Sequence, residues 1–137
     1  MALLIDAGPL YASIDRSDTR HKDCVDLLAD HPGPLVVPSL VITEVAYLVG
    51  TRLGPGPEVR LLQDFAEGNL IVEPVEASDW LRIAELVYRY RDLPLGTVDA
   101  SLVAAAERKG LEEVASLDRR HVGAVRPRHV ERLRLLP

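Results

Sequence analysis

The chain has 137 residues, with 16 basic and 21 acidic side chains, a formal net charge of −5, and 47% apolar and 27% charged residues. That length suits one domain spanning residues 1–137, and the composition excludes a disordered chain. A single cysteine, Cys24, excludes both a disulfide framework and a thiolate zinc cluster. The apolar run Ala2–Ile5 predicts a buried strand, ended by a tight Asp6-Ala7-Gly8-Pro9 turn with Pro9 at the first position of a helix. His21–Asp30 predicts a helix with Cys24, Val25, Leu27 and Leu28 on one stripe. Leu35-Val36-Val37 is a short strand closed by Pro38, and Ser39 then caps a helix running to about Arg52. Gly54-Pro55-Gly56-Pro57 reads as a turn between two helices. The second of these covers Glu58–Glu67, with Val59, Leu62, Phe65 and Ala66 inward. Leu70-Ile71-Val72 is another strand, and Ser78 to about Arg91 is helical through Leu81, Ala84, Val87 and Tyr88. Thr97–Lys109 is a helix stopped by Gly110. Val114–Leu117 is a strand ended by Asp118, and Leu133–Leu136 fits a last strand.

Strands alternating with helical patterns imply parallel strands joined by crossovers, hence an α/β fold with a three-layer α/β/α sandwich around a mostly parallel sheet. Ligands in such folds bind beyond the carboxyl ends of the strands, where the strand order reverses. The longest apolar stretch, Leu35–Val49, contains Pro38 and Glu44 and is too short to span a bilayer. The first residues, with an early Asp6 and no basic leader, do not read as a signal peptide. A soluble cytoplasmic protein with no membrane partner is therefore expected.

The net charge hides an asymmetry. Arginine supplies 14 of the 16 basic residues, and six of them, Arg119, Arg120, Arg126, Arg128, Arg132 and Arg134, lie in the last 19 residues. Residues 119–137 carry +5 and residues 1–118 carry −10. An anionic partner near the C-terminal segment fits that distribution, although charge runs are also commonly plain solvated surface.

Four carboxylates stand in apolar settings. Asp6 and Asp118 each follow a strand, which puts both on one rim of the sheet, although Asp at a strand end also serves as a turn or cap residue. Glu44 is the only acidic or basic side chain between His31 and Thr51, except for any charge on His31 itself, and its helical neighbours are Leu40, Val41, Tyr47 and Leu48. A lone carboxylate on an apolar face is costly unless it is paired or binds a metal. Asp99 sits in the first turn of its helix above Leu102, Val103 and Ala106, while Thr97 is the more natural cap. Four carboxylates in one cleft cannot all ionise without compensation, and oxygen-only ligands suit a hard divalent cation, Mg²⁺ or Mn²⁺. Such a cation beside arginines is what cleavage of a phosphodiester needs.

The stretches LLIDAGPLYASID, SLVITEV, LGTVDASLVAAAERKG and VASLDRRHV, in that order across the chain, resemble the PIN-domain family and, within it, the VapC-type toxins of toxin–antitoxin pairs. The resemblance implies a metal-dependent endoribonuclease that hydrolyses RNA with metal-activated water and no protein nucleophile. It assigns Asp6 and Asp99 as principal ligands, Glu44 as completing the acidic site directly or through water, and Asp118 as the fourth acid. Ser116 matches a position where a small hydroxyl residue lines the site. It further implies a homodimer and a neutralising cognate antitoxin. Arg119, Arg120, Arg126 and Arg128 are the candidate RNA phosphate contacts. The alternative is a non-catalytic PIN-type module whose acidic pocket only docks a partner.

Other signals are weaker. Gly54-Pro55-Gly56-Pro57 lacks the third glycine of a dinucleotide fingerprint and follows a helix. A phosphatase with an Asp nucleophile usually has a second Asp two residues on, where this chain has Gly8. His121 beside Asp118 reads as incidental. The six aromatic residues make no strand platform for stacking bases.

Overall fold

The computed structural model describes residues 1–137. In chain order its elements are β1 (Leu3–Ile5), α1 (Ala7–Ile14), α2 (His21–Asp30), β2 (Leu35–Pro38), α3 (Ser39–Leu53) and α4 (Pro55–Ala66). They continue with β3 (Ile71–Glu73), α5 (Ala77–Arg89), α6 (Thr97–Lys109), β4 (Glu113–Ala115), a single 3₁₀ turn at Val122–Ala124, and β5 (Arg134–Leu136). The five strands form one sheet in the order β3-β2-β1-β4-β5, and every pairing is parallel. The α/β/α sandwich expected from the alternation is present, and the sheet is wholly rather than mostly parallel.

Alternation along the strands divides the core in two. Leu4, Val36 and Val114 pack with Leu86 of α5, Leu102 of α6 and Val125 on one side. Leu3, Ile5, Val37 and Ala115 pack with Leu10 of α1, Val41 and Val45 of α3 and Leu61 of α4 on the other. Helix α6 is buried at every residue from Ala100 to Ala106. Its run of small side chains lets it lie close against α5 and α3 as well as the sheet. No helix is long and apolar enough to cross a membrane.

Several local expectations change. Helix α1 starts at Ala7, so Pro9 is its third residue rather than its first. Ser39 and Thr97 are the first helical residues, and neither cap position before them uses a side chain. Helix α4 begins at Pro55, because Gly54 alone turns the chain at φ 94°. Its inward residue is Leu61, while Val59 and Leu62 are about half exposed. On α5, Ile83 and Leu86 are buried, and Leu81 and Tyr88 are each 70% exposed. That helix carries apolar residues on both faces, so periodicity alone offered two stripes and the sheet and α6 take the other one. Strand β4 ends at Ala115, and Ser116-Leu117 form the link that carries the chain to Asp118.

The crossover from β1 goes to β2 on one side, and the chain returns to place β4 on the other. The strand order therefore reverses between β1 and β4, and the crevice beyond their carboxyl ends is where such sheets bind ligands. Asp6 directly follows β1, and Ser116 directly follows β4.

Candidate metal centre

Asp6 is 6% exposed and fixed by two hydrogen bonds. Its Oδ1 caps α1 by accepting the Ala7 backbone N–H at 2.8 Å, and its Oδ2 accepts the Ser116 hydroxyl at 2.9 Å. The Ser116 Oγ in turn accepts the Asp118 backbone N–H at 3.1 Å. One buried hydroxyl thus ties the end of β1 to the turn after β4. Burial pushes the Asp6 carboxyl above its ordinary pKa, the bonds from Ser116 and Ala7 pull against it, and the charge of Asp118 adds to the rise.

Asp99 enters from the first turn of α6, where the buried small-residue helix aims its N-terminus into the crevice. Its pKa is raised to about 6, first by burial and then by the negative charges of Asp6, Asp118 and Glu44, with His121 opposing. Glu44, from α3, is the most open of the four acids, and its carboxyl is also raised, first by partial burial and then by Asp6. Its expected apolar surroundings are only partly there, because Val41 is buried and Tyr47 is 62% exposed. Glu44 stands where α3 opens onto the crevice rather than inside the core.

All four acids line one open depression of about 480 Å³, together with Arg120 and His121. No lysine or arginine forms an ion pair with any of them; the one basic side chain in contact with an acid of the set is His121, with Asp118. Asp6, Glu44 and Asp99, all raised, stand with Asp118 and with no lysine or arginine paired to any of them, and this set fits a hard divalent ion, whose charge and oxygen preference match the donors. One ligand atom from each of Asp99, Asp118 and His121 already falls within 4.8 Å of the others.

The arginines disperse. Only Arg120 reaches the depression. Arg119 and Arg126 are exposed and make no ion pair, and the Arg126 backbone N–H donates to the Tyr90 hydroxyl at 3.0 Å. Arg128 pairs with Glu85 at 2.9 Å beside a separate cavity of about 330 Å³. Arg132 donates to the carbonyls of Gly123 and Ala124, and Arg134 pairs with Glu113. The +5 segment is a stretch of sequence, not one patch of surface. His121, set aside in the sequence, faces the same depression as the acids. Its three-residue spacing from Asp118 just beyond a strand was the available signal.

The family profile of the PIN domain matches residues 3–125. Ribonuclease VapC26 of Mycobacterium tuberculosis is 33% identical over 98% of this chain and 100% of its own length. The crystal structure of Mycobacterium tuberculosis VapC20, a sarcin–ricin loop cleaving toxin, superposes with a TM-score of 0.82 over 94% of this chain and 98% of that one, at 22% identity. DNA-bound VapBC from Salmonella typhimurium gives a TM-score of 0.68 over 98% and 96% of the two chains, at 15% identity. A reversed parallel sheet with an acidic crevice at the reversal, a profile match over most of the sequence and a full-length relative lead to one assignment: this chain belongs to the PIN-domain family, in its VapC branch.

Proposed function

We propose that this protein is the toxin of a type II toxin–antitoxin pair, acting in the cytoplasm as a divalent-metal-dependent endoribonuclease. The observation that carries the reading is the set of four carboxylates, Asp6, Glu44, Asp99 and Asp118, gathered at the β1/β4 reversal with no lysine or arginine paired to any of them. The full-length likeness to a ribonuclease supports it, and the VapBC likeness supports a cognate antitoxin as partner. A homodimer is part of the same reading.

Asp6 and Asp99 are the principal metal ligands, with Glu44 and Asp118 completing the acidic set around Mg²⁺ or Mn²⁺. A cation held there supplies Lewis-acid polarisation of a phosphoryl oxygen and a water acidic enough to attack at neutral pH. The protein's own contribution is positional. The bonds from Ala7 and Ser116 hold Asp6 in one orientation before any ligand arrives. Asp99, with its pKa near 6, gives up its proton readily when a cation replaces the repulsion around it. Glu44, at the open edge, closes the acidic set from α3. Arg120 at the rim contacts an RNA phosphate, with Arg119 and Arg126 as further unpaired cations nearby in sequence; Arg128, paired with Glu85, contributes only by exchanging that partner.

The test is cleavage of total cellular RNA by purified protein with Mn²⁺ or Mg²⁺, against the same reaction in EDTA and against Asp99→Ala. The reading predicts metal-dependent fragments and a loss on the order of 10²-fold or more in Asp99→Ala, because the metal's transition-state stabilisation goes with it. Equal cleavage by wild type and Asp99→Ala contradicts the site. Tight antitoxin binding with no cleavage under any metal supports the docking module instead.

A further inference from the structure

His121 is the one polar side chain of the depression for which the four-carboxylate reading has no task. It lies three residues beyond Asp118 in the turn after β4, and its own backbone N–H donates to Asp118 Oδ1 at 2.9 Å. That bond sets the ring against the carboxylate. The ring Nδ1 stands 3.1 Å from Oδ1 and 3.2 Å from Oδ2 of Asp118. Two ligands at right angles on an ion with bonds of about 2.1 Å stand roughly 3.0 Å apart. The Asp118–His121 pair therefore already has the bite of a chelate. Asp99 offers a third ligand atom inside the same 4.8 Å group. The side chain of His121 is 28% exposed, so the ring is partly held by its surroundings and partly open to the depression.

We propose that His121 is a nitrogen ligand of the metal centre, joining Asp99 and Asp118, and that it biases the centre toward first-row transition ions over Mg²⁺. The inference rests on the metal-dependent reading above and adds to it a donor of a different class. An all-carboxylate site suits hard ions, Mg²⁺ and Mn²⁺ alike. An imidazole nitrogen gains affinity along the first-row series and gives Mg²⁺ little, so a mixed oxygen–nitrogen site separates ions that an oxygen site treats as near equals. In the absence of an ion, the contact of Nδ1 with the Asp118 carboxylate holds the ring in place.

Pulsed electron paramagnetic resonance on the full chain loaded with Mn²⁺ reads the ligand directly. Wild type is expected to show ¹⁴N modulation from a directly bound nitrogen. Protein grown with ¹⁵N-histidine should replace it by the ¹⁵N pattern without any substitution in the chain. His121→Gln should bind Mn²⁺ and lose the nitrogen signal, and His121→Asn serves as the second variant if the first fails to fold by thermal unfolding. Titration calorimetry with the metals alone gives the second readout. Co²⁺ affinity should fall about tenfold or more in His121→Gln, and Mg²⁺ affinity less than about threefold. Bound Mn²⁺ with no nitrogen coupling, coupling that survives in His121→Gln, or equal weakening of Co²⁺ and Mg²⁺ overturns the proposal. Each of those outcomes leaves the carboxylate centre standing. Wild type that binds no Mn²⁺, or binding untouched by Asp99→Asn, overturns the metal-dependent reading itself.

Discussion

Two groups of acidic residues in this molecule use the same chemistry to opposite ends. Along α5 and α6, Asp79 is 6% exposed and bonded by Arg108, which also holds Glu73 at 2.8 Å. Lys109 pairs with Glu73, and both nitrogens of one edge of Arg82 reach Glu107 at 2.8 Å. Burial acts to raise Glu73 and Glu107, but hydrogen bonds from these cations outweigh it and leave both below the ordinary carboxylate range. At the β1/β4 crevice, burial acts in the same direction on Asp6, Asp99 and Glu44 with no cation to outweigh it, and all three are raised. The first group clamps α5, α6 and β3 together. The second holds like-charge repulsion that no lysine or arginine of the fold offsets, leaving protonation or a cation from outside to relieve it. A buried acid is thus informative about function chiefly through what the fold declines to pair with it.

Substitution on each side should break that contrast most sharply. Arg108→Met leaves Asp79 buried without its partner and is expected to lower the unfolding free energy by about 3 kcal/mol, at the low end for a buried pair because Arg108 is partly exposed. Urea denaturation measures it, and a loss well under about 1 kcal/mol would show that the clamp does not hold the helices. The pH dependence separates the two groups next. An acid whose folded pKa is raised stabilises the fold fully below its unfolded value and loses that contribution as pH rises through the folded one. For Asp99 the window runs from about 4 to about 6, from its ordinary value of 3.8 to its raised one. The metal-free protein should therefore lose stability across that window, and Asp99→Asn should flatten the loss. The smallest effect belongs to Ser116→Ala. It removes the bridge between Asp6 and the turn after β4, and should cost about 1–2 kcal/mol in unfolding experiments while weakening Mn²⁺ binding.

The alternation of strands and helices was legible because the strands are short, mostly apolar runs closed by Asp or Pro, and helices such as His21–Asp30 and Thr97–Lys109 have clear ends. The four acids were legible because each interrupts an apolar setting, a property of nearest neighbours in sequence. What was not legible depends on partners distant in sequence. Nothing in the segment 119–137 says that Arg128 meets Glu85, or that Arg134 meets Glu113. Nothing in α5 says which of its two apolar faces the sheet and α6 will take. The spacing of His121 three residues beyond Asp118 was a weak signal, and the contact of its ring with the Asp118 carboxylate depends on a turn that this spacing alone does not encode. Glu44 illustrates a subtler case: its neighbours are apolar as expected, but α3 presents it at the mouth of the crevice.

The most direct test of the uncompensated centre is thermal unfolding of wild type and Asp99→Asn, each stripped of metal and then titrated with Mn²⁺. Without metal, Asp99→Asn should match or exceed wild type, by up to a few degrees, because it relieves like-charge repulsion. With Mn²⁺ at about one hundred times its dissociation constant, wild type should gain about 2.7 kcal/mol and the variant much less. A metal-free variant markedly less stable than wild type, or equal gains from Mn²⁺ in both proteins, would contradict the account.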